Sequence, residues 1–387
     1  MCEILINLPF EVKKIIEIIN SHSYAAYAVG GCVRDMVMGN IPNDYDITTS
    51  AQPEKIIEIF NLCGIRTIPT GIQHGTVSVL MSDKIYEITT FRTDGDYKDS
   101  RHPESVSFTD KLSDDLVRRD FTINAMAADI DGNLYDLFGG VEDIKNKILR
   151  CVGDPYKRFS EDALRILRGV RFSSRLGFEI EDSTYLAAKE LGYKLQNVSV
   201  ERKISELSGI LMSDGANAGI KTIFELGIED HIIKGLKAPI MNIDNCPKTF
   251  ECRMAALICG SDNVDLSTLK LSNQQRKDIS LLLQKPSFEN SDICARRILK
   301  EYKNLAIDVC LLYGQNDVAN LVREQIKLNP CTSISQLAVN GNDIISLGID
   351  KRNISKVLNF ALDKVIEFPE FNQKDKLLQY IKDNHLI

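Results

Sequence analysis

Two aspartates and a glycine pair near the amino terminus are the residues best suited to do chemistry in this chain. Asp44 and Asp46 are separated by one residue, so on a strand both carboxylates would project to one face. Oxygen ligands of this kind, together with substrate phosphates, hold Mg²⁺, and a pair of ions can activate an attacking hydroxyl and stabilise departing pyrophosphate. Gly30 and Gly31 allow a tight turn whose N–H groups can approach an anion. The pattern predicts nucleotidyl transfer with a cofactor of two Mg²⁺ ions.

The elements that must position these residues can be predicted from the surrounding sequence. Residues 24–29, YAAYAV, are typical of a short buried strand, and residues 32–38 continue as a helix. A helix amino terminus behind the glycine turn favours a triphosphate, and Arg34 can add a bidentate contact. Residues 44–47 alternate between polar and apolar, which predicts a second strand. Either motif alone is more often an ordinary turn or strand edge, but their order and spacing favour a functional site.

These residues resemble the signature of class II tRNA nucleotidyltransferases, which in this chain reads AVGGCVRDMVMGNIPNDYDITTSA. That family contains the CCA-adding enzymes and bacterial poly(A) polymerases, within the DNA polymerase beta superfamily. Five more motifs follow in the family's order: TGIQHGTVSV, EITTFRTDGDYKDSRHPESVSF, DLVRRDFTINAMA, LYDLFGG and RFSEDALRILRGVRF. The resemblance implies an α+β fold, with an N-terminal nucleotidyltransferase head built on a mixed β-sheet with flanking helices, followed by an all-α neck, body and tail.

Composition bounds the class of protein. The 387 residues are 44% hydrophobic and 26% charged, which predicts a soluble globular protein of several domains. The sequence lacks an apolar run approaching the roughly 18 residues of a membrane span, and its first residues do not resemble a signal peptide. We therefore expect a cytoplasmic protein with no membrane partner. The ten cysteines lack zinc-site spacing and are expected to be reduced thiols.

A local concentration of basic residues contrasts with the formal net charge of −7. Residues 145–175 hold nine lysines and arginines against three acidic residues, which favours a polyanion site. We expect a helix over Glu161–Ser174, with Ser160 as its N-cap, whose apolar face packs against the protein. The opposite face would carry Arg165, Arg168, Arg171 and Arg175. The first three are expected to bind nucleotide, and Arg175 with the rest of the basic face to bind RNA; the alternative is a solvated face on a structural helix.

Asp162 and Arg165 can distinguish nucleobases by their hydrogen-bonding character. Cytosine and adenine each present an exocyclic amine beside a ring-nitrogen acceptor, so a carboxylate and a guanidinium can serve both bases. Uracil and guanine present the opposite pattern and would leave buried polar groups facing like partners. The family resemblance implies the same role, in which the Glu-Asp-x-x-Arg motif acts as a protein template for CTP and ATP.

Three further assignments depend on the resemblance. It implies that Arg119 contacts the nucleotide, while Asp120 is expected to be structural. Glu87, in the strand IYEITTF, is a candidate third active-site carboxylate or an ordinary strand residue. For the loop at residues 92–103, the resemblance implies a role in switching from C to A addition; the alternative is a plain hairpin linker. The family's usual DGRHP reads DSRHP over Asp99–Pro103 in this chain.

The second half of the chain is predicted to be all-helical, because apolar residues recur at helical spacing in most segments beyond residue 175. We expect a catalytic head over 1–149, a helical neck with base recognition and RNA binding over 150–240, a helical body over 241–330 and a helical tail contacting the tRNA elbow over 331–387.

The function predicted from these features is template-independent addition of C, C and A to tRNA 3′ ends, using CTP and ATP. Alternatives that remain open are an enzyme that adds only A and a poly(A) polymerase. A different class is a catalytically inert RNA-binding or regulatory nucleotide-binding protein. We infer no obligate protein partner.

Overall fold

The computed structural model describes residues 5–94 and 106–384. The chain divides into two compact units, Met1–Gly235 and Leu236–Ile387. In the described part of the chain, no helix has both the length and the apolar character needed to cross a membrane.

The first unit is built around a mixed sheet of seven strands in the order β3-β4-β5-β2-β1-β8-β9. Strands β2 and β5 are parallel, and the other neighbours are antiparallel. Two short pairs, β6 with β7 and β10 with β11, lie outside this sheet. The strands are β1 Ala26–Val29, β2 Asp46–Thr49, β3 Thr67–Gly71, β4 Thr76–Met81, β5 Lys84–Thr90, β6 Arg92–Asp94, β7 Val106–Phe108, β8 Met126–Ala128, β9 Leu134–Asp136, β10 Ile148–Leu149 and β11 Glu179–Ile180.

Helices cover the sheet and continue through the rest of the first unit. They are α1 Phe10–Ser21, α2 Gly31–Val37, α3 Pro53–Leu62, α4 Leu112–Val117, α5 Gly140–Asn146, α6 Pro155–Glu161, α7 Leu164–Leu176, α8 Asp182–Leu191, α9 Val200–Leu211, α10 Ala216–Leu226 and α11 Glu229–Ile232. Helices α7 and α9 pack against each other, and residues from both line a cavity that also includes Asp46 at the start of β2.

The described residues of the second unit form helices and the loops that connect them. Its helices are α12 Phe250–Ile258, α13 Asn273–Leu282, α14 Asp292–Tyr302, α15 Ala306–Leu312, α16 Asn316–Leu328, α17 Gly341–Ser346, α18 Ile354–Glu367 and α19 Lys374–Asp383. The last three share a hydrophobic cluster that includes Ile344, Ala361 and Ile381.

The core of the sheet explains which strand face carries polar residues. Val12, Ile15 and Ile19 recur at helical spacing in α1 and are fully buried. They share one hydrophobic cluster with Ile47 of β2 and Ile88 of β5. Because side chains alternate along a strand, this packing directs the residues flanking Ile47 to the opposite face of the sheet.

The predicted α+β class is confirmed, and three local predictions are wrong. Strand β2 begins at Asp46, so Asp44 lies in a bend before it. The helix predicted over Glu161–Ser174 is two helices, because α6 begins earlier, with Asp154 as its N-cap and Pro155 in its first turn. Ser160 therefore lies inside α6 and is not an N-cap. Strand β11 interrupts the second half that was predicted to be all-helical.

Candidate active site

Ten of the twelve predicted site residues line one open cavity of about 560 Å³ in the first unit. The remaining two, Glu87 and Arg175, are not part of its lining. Among the described residues, seven arginines and four aspartates line the cavity, so positive charge is in excess. An open, polar cavity with this charge balance suits a polyanionic ligand.

The glycine turn is shaped by both backbone conformation and the space available to a neighbouring side chain. Gly30 has φ 81° and ψ −132°, in a region that L-residues other than glycine rarely adopt. A Cβ atom built on Gly30 would lie 3.0 Å from Nη1 of Arg119. The turn therefore admits the Arg119 guanidinium close to the backbone of the cavity wall.

Arg34 is held in place from two sides at the base of the cavity. It is 4% exposed, and its Nη1 donates to Oδ1 of Asn124 at 2.7 Å. Its Nε and Nη2 donate to Oδ1 of Asp35 at 2.9 and 2.7 Å. These bonds fix the guanidinium where α2 meets the segment before β8. Asn124 was not predicted, although it lies within the motif DLVRRDFTINAMA.

The two predicted metal-binding carboxylates line the same cavity, although only Asp46 is on a strand. Asp46 pairs in register with Glu87 across the parallel β2–β5 pair, so both side chains lie on one face of the sheet. Desolvation by the surrounding protein raises the pKa of Asp46, the charges of Asp44 and Glu87 raise it further, and Arg119 opposes them. Negative charge is therefore concentrated at this point of the cavity.

The carboxylate pair fits a hard divalent cation in its donor chemistry. Both groups supply oxygen ligands, and a cation would offset the repulsion that raises the pKa of Asp46. Within residues 5–94 and 106–384, no group of three or more His, Cys, Asp or Glu side chains is arranged to hold a metal. The two carboxylates would supply only part of a coordination shell, a donor set of the kind that suits Mg²⁺, since that ion completes its shell with water and substrate phosphates.

A fully buried carboxylate, Asp115, aligns two arginines with the cavity. Its Oδ1 accepts from Nε and Nη2 of Arg118 at 3.0 and 2.7 Å, and its Oδ2 accepts from Nη2 of Arg119 at 3.0 Å. Burial alone would raise the pKa of Asp115, but the charges of Arg119 and Arg118 hold it below the usual value. Sequence reasoning missed Asp115, although its i, i+3 and i, i+4 spacing to Arg118 and Arg119, which directly follow α4, was a usable signal.

Asp120 joins the sheet-containing part of this unit to α7. Its Oδ2 accepts from Nε and Nη2 of Arg168 at 2.8 and 2.6 Å, and its Oδ1 accepts from the Phe121 N–H at 2.9 Å. Burial raises the pKa of Asp120, but the Arg168 charge and hydrogen bond outweigh it and lower the pKa. This network matches the structural role expected for Asp120.

The predicted base-reading residues lie at the break between α6 and α7. Asp162 has φ −145° and ψ 105°, and its Oδ1 accepts from the Leu164 N–H at 3.0 Å. Its Oδ2 accepts from Nη2 of Arg202 at 2.7 Å. Nη1 of Arg165 donates to Oε2 of Glu161 at 2.7 Å. Both side chains line the cavity, but each is already bound to an oppositely charged neighbour.

Arg202 is a cavity residue that sequence reasoning missed. It belongs to α9, forty residues beyond its partner Asp162, and no local pattern marks it. The packing of α9 on α7 places it at the site.

The arginine face of α7 is divided between the cavity and solvent. Ile166, Leu167 and Val170 are buried on the other side of the helix, as expected. Arg171 lines the cavity and its Nε donates to Oε2 of Glu206 at 2.6 Å. Arg175 is exposed at the carboxyl end of the helix.

The predicted loop at 92–103 is described only over its first residues. Residues 92–94 form β6, which pairs with β7. The residues Asp99–Pro103, which correspond to the DGRHP pattern, lie outside the described residues.

Comparison with known proteins gives matches along nearly the whole chain. Residues 26–150 match the family described as "Poly A polymerase head domain", and residues 177–239 match "Probable RNA and SrmB- binding site of polymerase A". The CCA-adding enzyme of Enterococcus faecalis is 36% identical over 98% of this chain and 97% of its own length. That of Staphylococcus epidermidis is 36% identical over 97% of this chain and 98% of its own length.

Solved structures give the same result at the level of the fold. The Bacillus stearothermophilus CCA-adding enzyme in complex with CTP is 31% identical, with a TM-score of 0.84 over 98% of both chains. The Thermotoga maritima CCA-adding enzyme complexed with tRNA has a TM-score of 0.70 over 97% of this chain and 94% of its own; at 21% identity it supports the fold alone.

Proposed function

This chain belongs to the family of CCA-adding enzymes, and from that premise we propose that it adds C, C and A to tRNA 3′ ends, using CTP and ATP and releasing pyrophosphate. Relatives that match it at 34–36% identity over nearly their full length carry this name. The observation within the structure that carries the proposal is the single cavity that combines the Asp44–Asp46 pair, an arginine wall and the Asp162–Arg165 pair.

The arginine wall would bind the triphosphate. Arg34, Arg119, Arg168 and Arg171 line the cavity beside Gly30 and Gly31. Carboxylates or an amide hold each guanidinium in place, and the N–H groups that these bonds do not use would donate to phosphate oxygens. Guanidiniums favour phosphate because their planar donors match two oxygens at once. In addition, Arg119 has a buried Nε without a hydrogen-bond partner in the described residues, a donor that a ligand could satisfy.

Asp44 and Asp46 would hold two Mg²⁺ ions, and Glu87 is the third carboxylate that we would test, because it lies in register with Asp46. Such ions, when bound, activate the attacking hydroxyl and offset charge on the departing pyrophosphate. The cavity residues would position the α-phosphate of the nucleotide for attack by the terminal 3′ hydroxyl of tRNA. No covalent enzyme intermediate is needed.

Asp162 and Arg165 would select the base. An ionised carboxylate can only accept hydrogen bonds and a guanidinium can only donate them. The Asp162 carboxylate accepts from Nη2 of Arg202 and retains lone pairs beyond that bond. The pair therefore matches the amine and ring nitrogen of cytosine and adenine and rejects uracil and guanine.

The remaining assignments extend this proposal beyond the cavity. We place RNA binding at Arg175 and the neighbouring basic face of the neck, over the predicted range 150–240. The body over 241–330 and the tail over 331–387 would bind the rest of the tRNA. A tRNA-processing role is consistent with a cytoplasmic location.

The test uses purified protein and three tRNAs that end before CCA, after the first C or after the second C, each supplied with CTP, ATP or both. We expect addition of C, C and A in order, and a requirement for Mg²⁺. Incorporation of A alone would instead assign an A-adding enzyme, and runs of A on unrelated RNA a poly(A) polymerase. Nucleotide binding without any turnover, with or without metal, would assign an inert RNA-binding or regulatory protein.

A further inference from the structure

Three arginine guanidiniums surround a single aromatic ring on the wall of the cavity. The Cζ atoms of Arg34, Arg168 and Arg171 lie 5.5, 5.5 and 4.6 Å from the ring centroid of Phe172. All three lie within the distance of about 6 Å at which the negative face of a ring attracts a cation. Arg34 belongs to α2 and the other two to α7, so the ring connects guanidiniums from elements far apart in the sequence.

Grouping these cations before a nucleotide arrives requires compensation for their mutual repulsion. Carboxylates supply it: Asp35 pairs with Arg34, Asp120 with Arg168, and Glu206 with Arg171 and, at 4.0 Å, with Arg168. These ion pairs neutralise charge, and Glu206 links Arg168 to Arg171, but none of these carboxylates joins Arg34 to the other two. The ring is the feature that all three share.

The Phe172 ring is itself fixed by packing. It is 6% exposed and lies edge-to-face with Phe121, with the ring centroids 5.8 Å apart and the planes at 79°. Phe121 is fully buried, and a Cβ atom built on Gly169 would lie 3.1 Å from its Cζ. The close approach of α7 to Phe121 therefore holds the ring that the arginines contact.

Packing alone does not require an aromatic residue at this position. A leucine would also bury apolar surface against Phe121, but it has no quadrupole to attract cations. Three cation contacts on one ring are therefore the feature that distinguishes Phe172 from an ordinary core residue.

We propose that Phe172 is a positioning residue that arranges the Arg34, Arg168 and Arg171 guanidiniums to receive the triphosphate of CTP or ATP, a role that rests on the proposed function. Phe172 acts through the arginines and does not touch the reacting atoms. Because the triphosphate is common to CTP and ATP, the effect of Phe172 should be the same for both nucleotides.

The test replaces Phe172 with phenylalanines carrying one, two or three ring fluorines, introduced at this position alone. Fluorination weakens the negative face of the ring while nearly preserving its shape and apolar character. We expect the KM values for CTP and ATP to rise together with each fluorine, by about tenfold across the series, with little change in kcat. Inorganic pyrophosphate, measured by calorimetry without RNA, should lose affinity in parallel. Phe172→Leu should weaken pyrophosphate binding at least as much.

Phe60 provides the matched control, because its ring is fully buried in α3 within the core of the sheet. The same fluorinated residues at Phe60 should leave KM and pyrophosphate affinity unchanged, and thermal unfolding should be similar in both series. A flat response at Phe172, or an equal response at Phe60, would overturn the positioning role while CCA addition stands. A graded loss of pyrophosphate affinity in a protein that adds no CCA would support the role of the ring and reject the proposed function.

Discussion

Replacing Asp162 with alanine should relax base choice while leaving triphosphate binding nearly intact. Uracil places an acceptor opposite the carboxylate and a donor opposite the Arg165 guanidinium, so UTP makes two mismatches where CTP makes two hydrogen bonds. The Asp162 side chain is only 15% exposed, so solvent compensates little for a mismatch. Asp162→Ala removes one mismatch for UTP and one hydrogen bond for CTP.

The expected magnitude follows from the cost of polar groups that lack partners. A hydrogen bond to a charged group contributes about 1.5–3 kcal/mol, and an unsatisfied buried group costs about 1–3 kcal/mol. The preference for CTP over UTP should therefore fall by at least about 2.5 kcal/mol, or roughly 70-fold in the ratio of kcat/KM values. Arg202 loses its partner in this variant, but it is 26% exposed and water can solvate it.

The assay measures single-turnover incorporation of CTP and UTP on a tRNA that ends before CCA, with pyrophosphate inhibition as the readout of triphosphate binding. Asp154→Ala is the matched control, because Asp154 is an exposed N-cap aspartate that accepts from the Tyr156 N–H at 2.9 Å and lies outside the cavity lining. It should lower stability and leave base choice unchanged. If UTP remains excluded in Asp162→Ala, the protein-template reasoning is wrong.

Three further variants test the carboxylates and the turn. Asp46→Asn should slow nucleotide addition by about 10³-fold in single turnover. Because the protein raises the pKa of Asp46, ionisation of this carboxyl costs stability as pH rises through that pKa. The free energy of unfolding of the variant at neutral pH should therefore be unchanged or higher, and a large loss would contradict this. Gly30→Ala should raise the KM for CTP and ATP by displacing Arg119. The control is Gly39→Ala: Gly39 has φ +78° and nothing lies within 4 Å of the added Cβ, so this change should only lower the stability of the protein, by about 1–2 kcal/mol. Equal KM values for the two variants would refute the steric argument. Asp115→Asn should lower the free energy of unfolding, measured in urea at pH 7, by about 3–5 kcal/mol. Since the pKa of Asp115 is lowered in the folded protein, the stability that its carboxylate contributes is lost as pH falls through that folded pKa. A stability difference between variant and parent that persists in acid would count against ion pairing.

The prediction of the glycine turn succeeded because its determinants are local. A buried strand, two glycines and a helix are encoded within residues 24–38, and the structure has β1 and α2 there.

The prediction of one continuous helix at the base-reading motif failed, also for a local reason. Helical periodicity continues through Asp162, but Asp154 and Pro155 start α6 early and the Asp162 carboxylate binds the Leu164 N–H, which competes with a continuous helix.

The sequence by itself determined the family, the kind of chemistry and most of the residues in the cavity, because the motifs that carry them are contiguous. Only the tertiary structure decided which charges meet. It paired Asp162 with Arg202, brought Arg34 beside Arg168 and Arg171 at the Phe172 ring and left Arg175 outside the cavity lining. Coulomb and cation–π interactions depend on distance through space. Those distances are set by the packing of α7 and α9 beside the sheet, and the residue spacing within any one motif does not determine them.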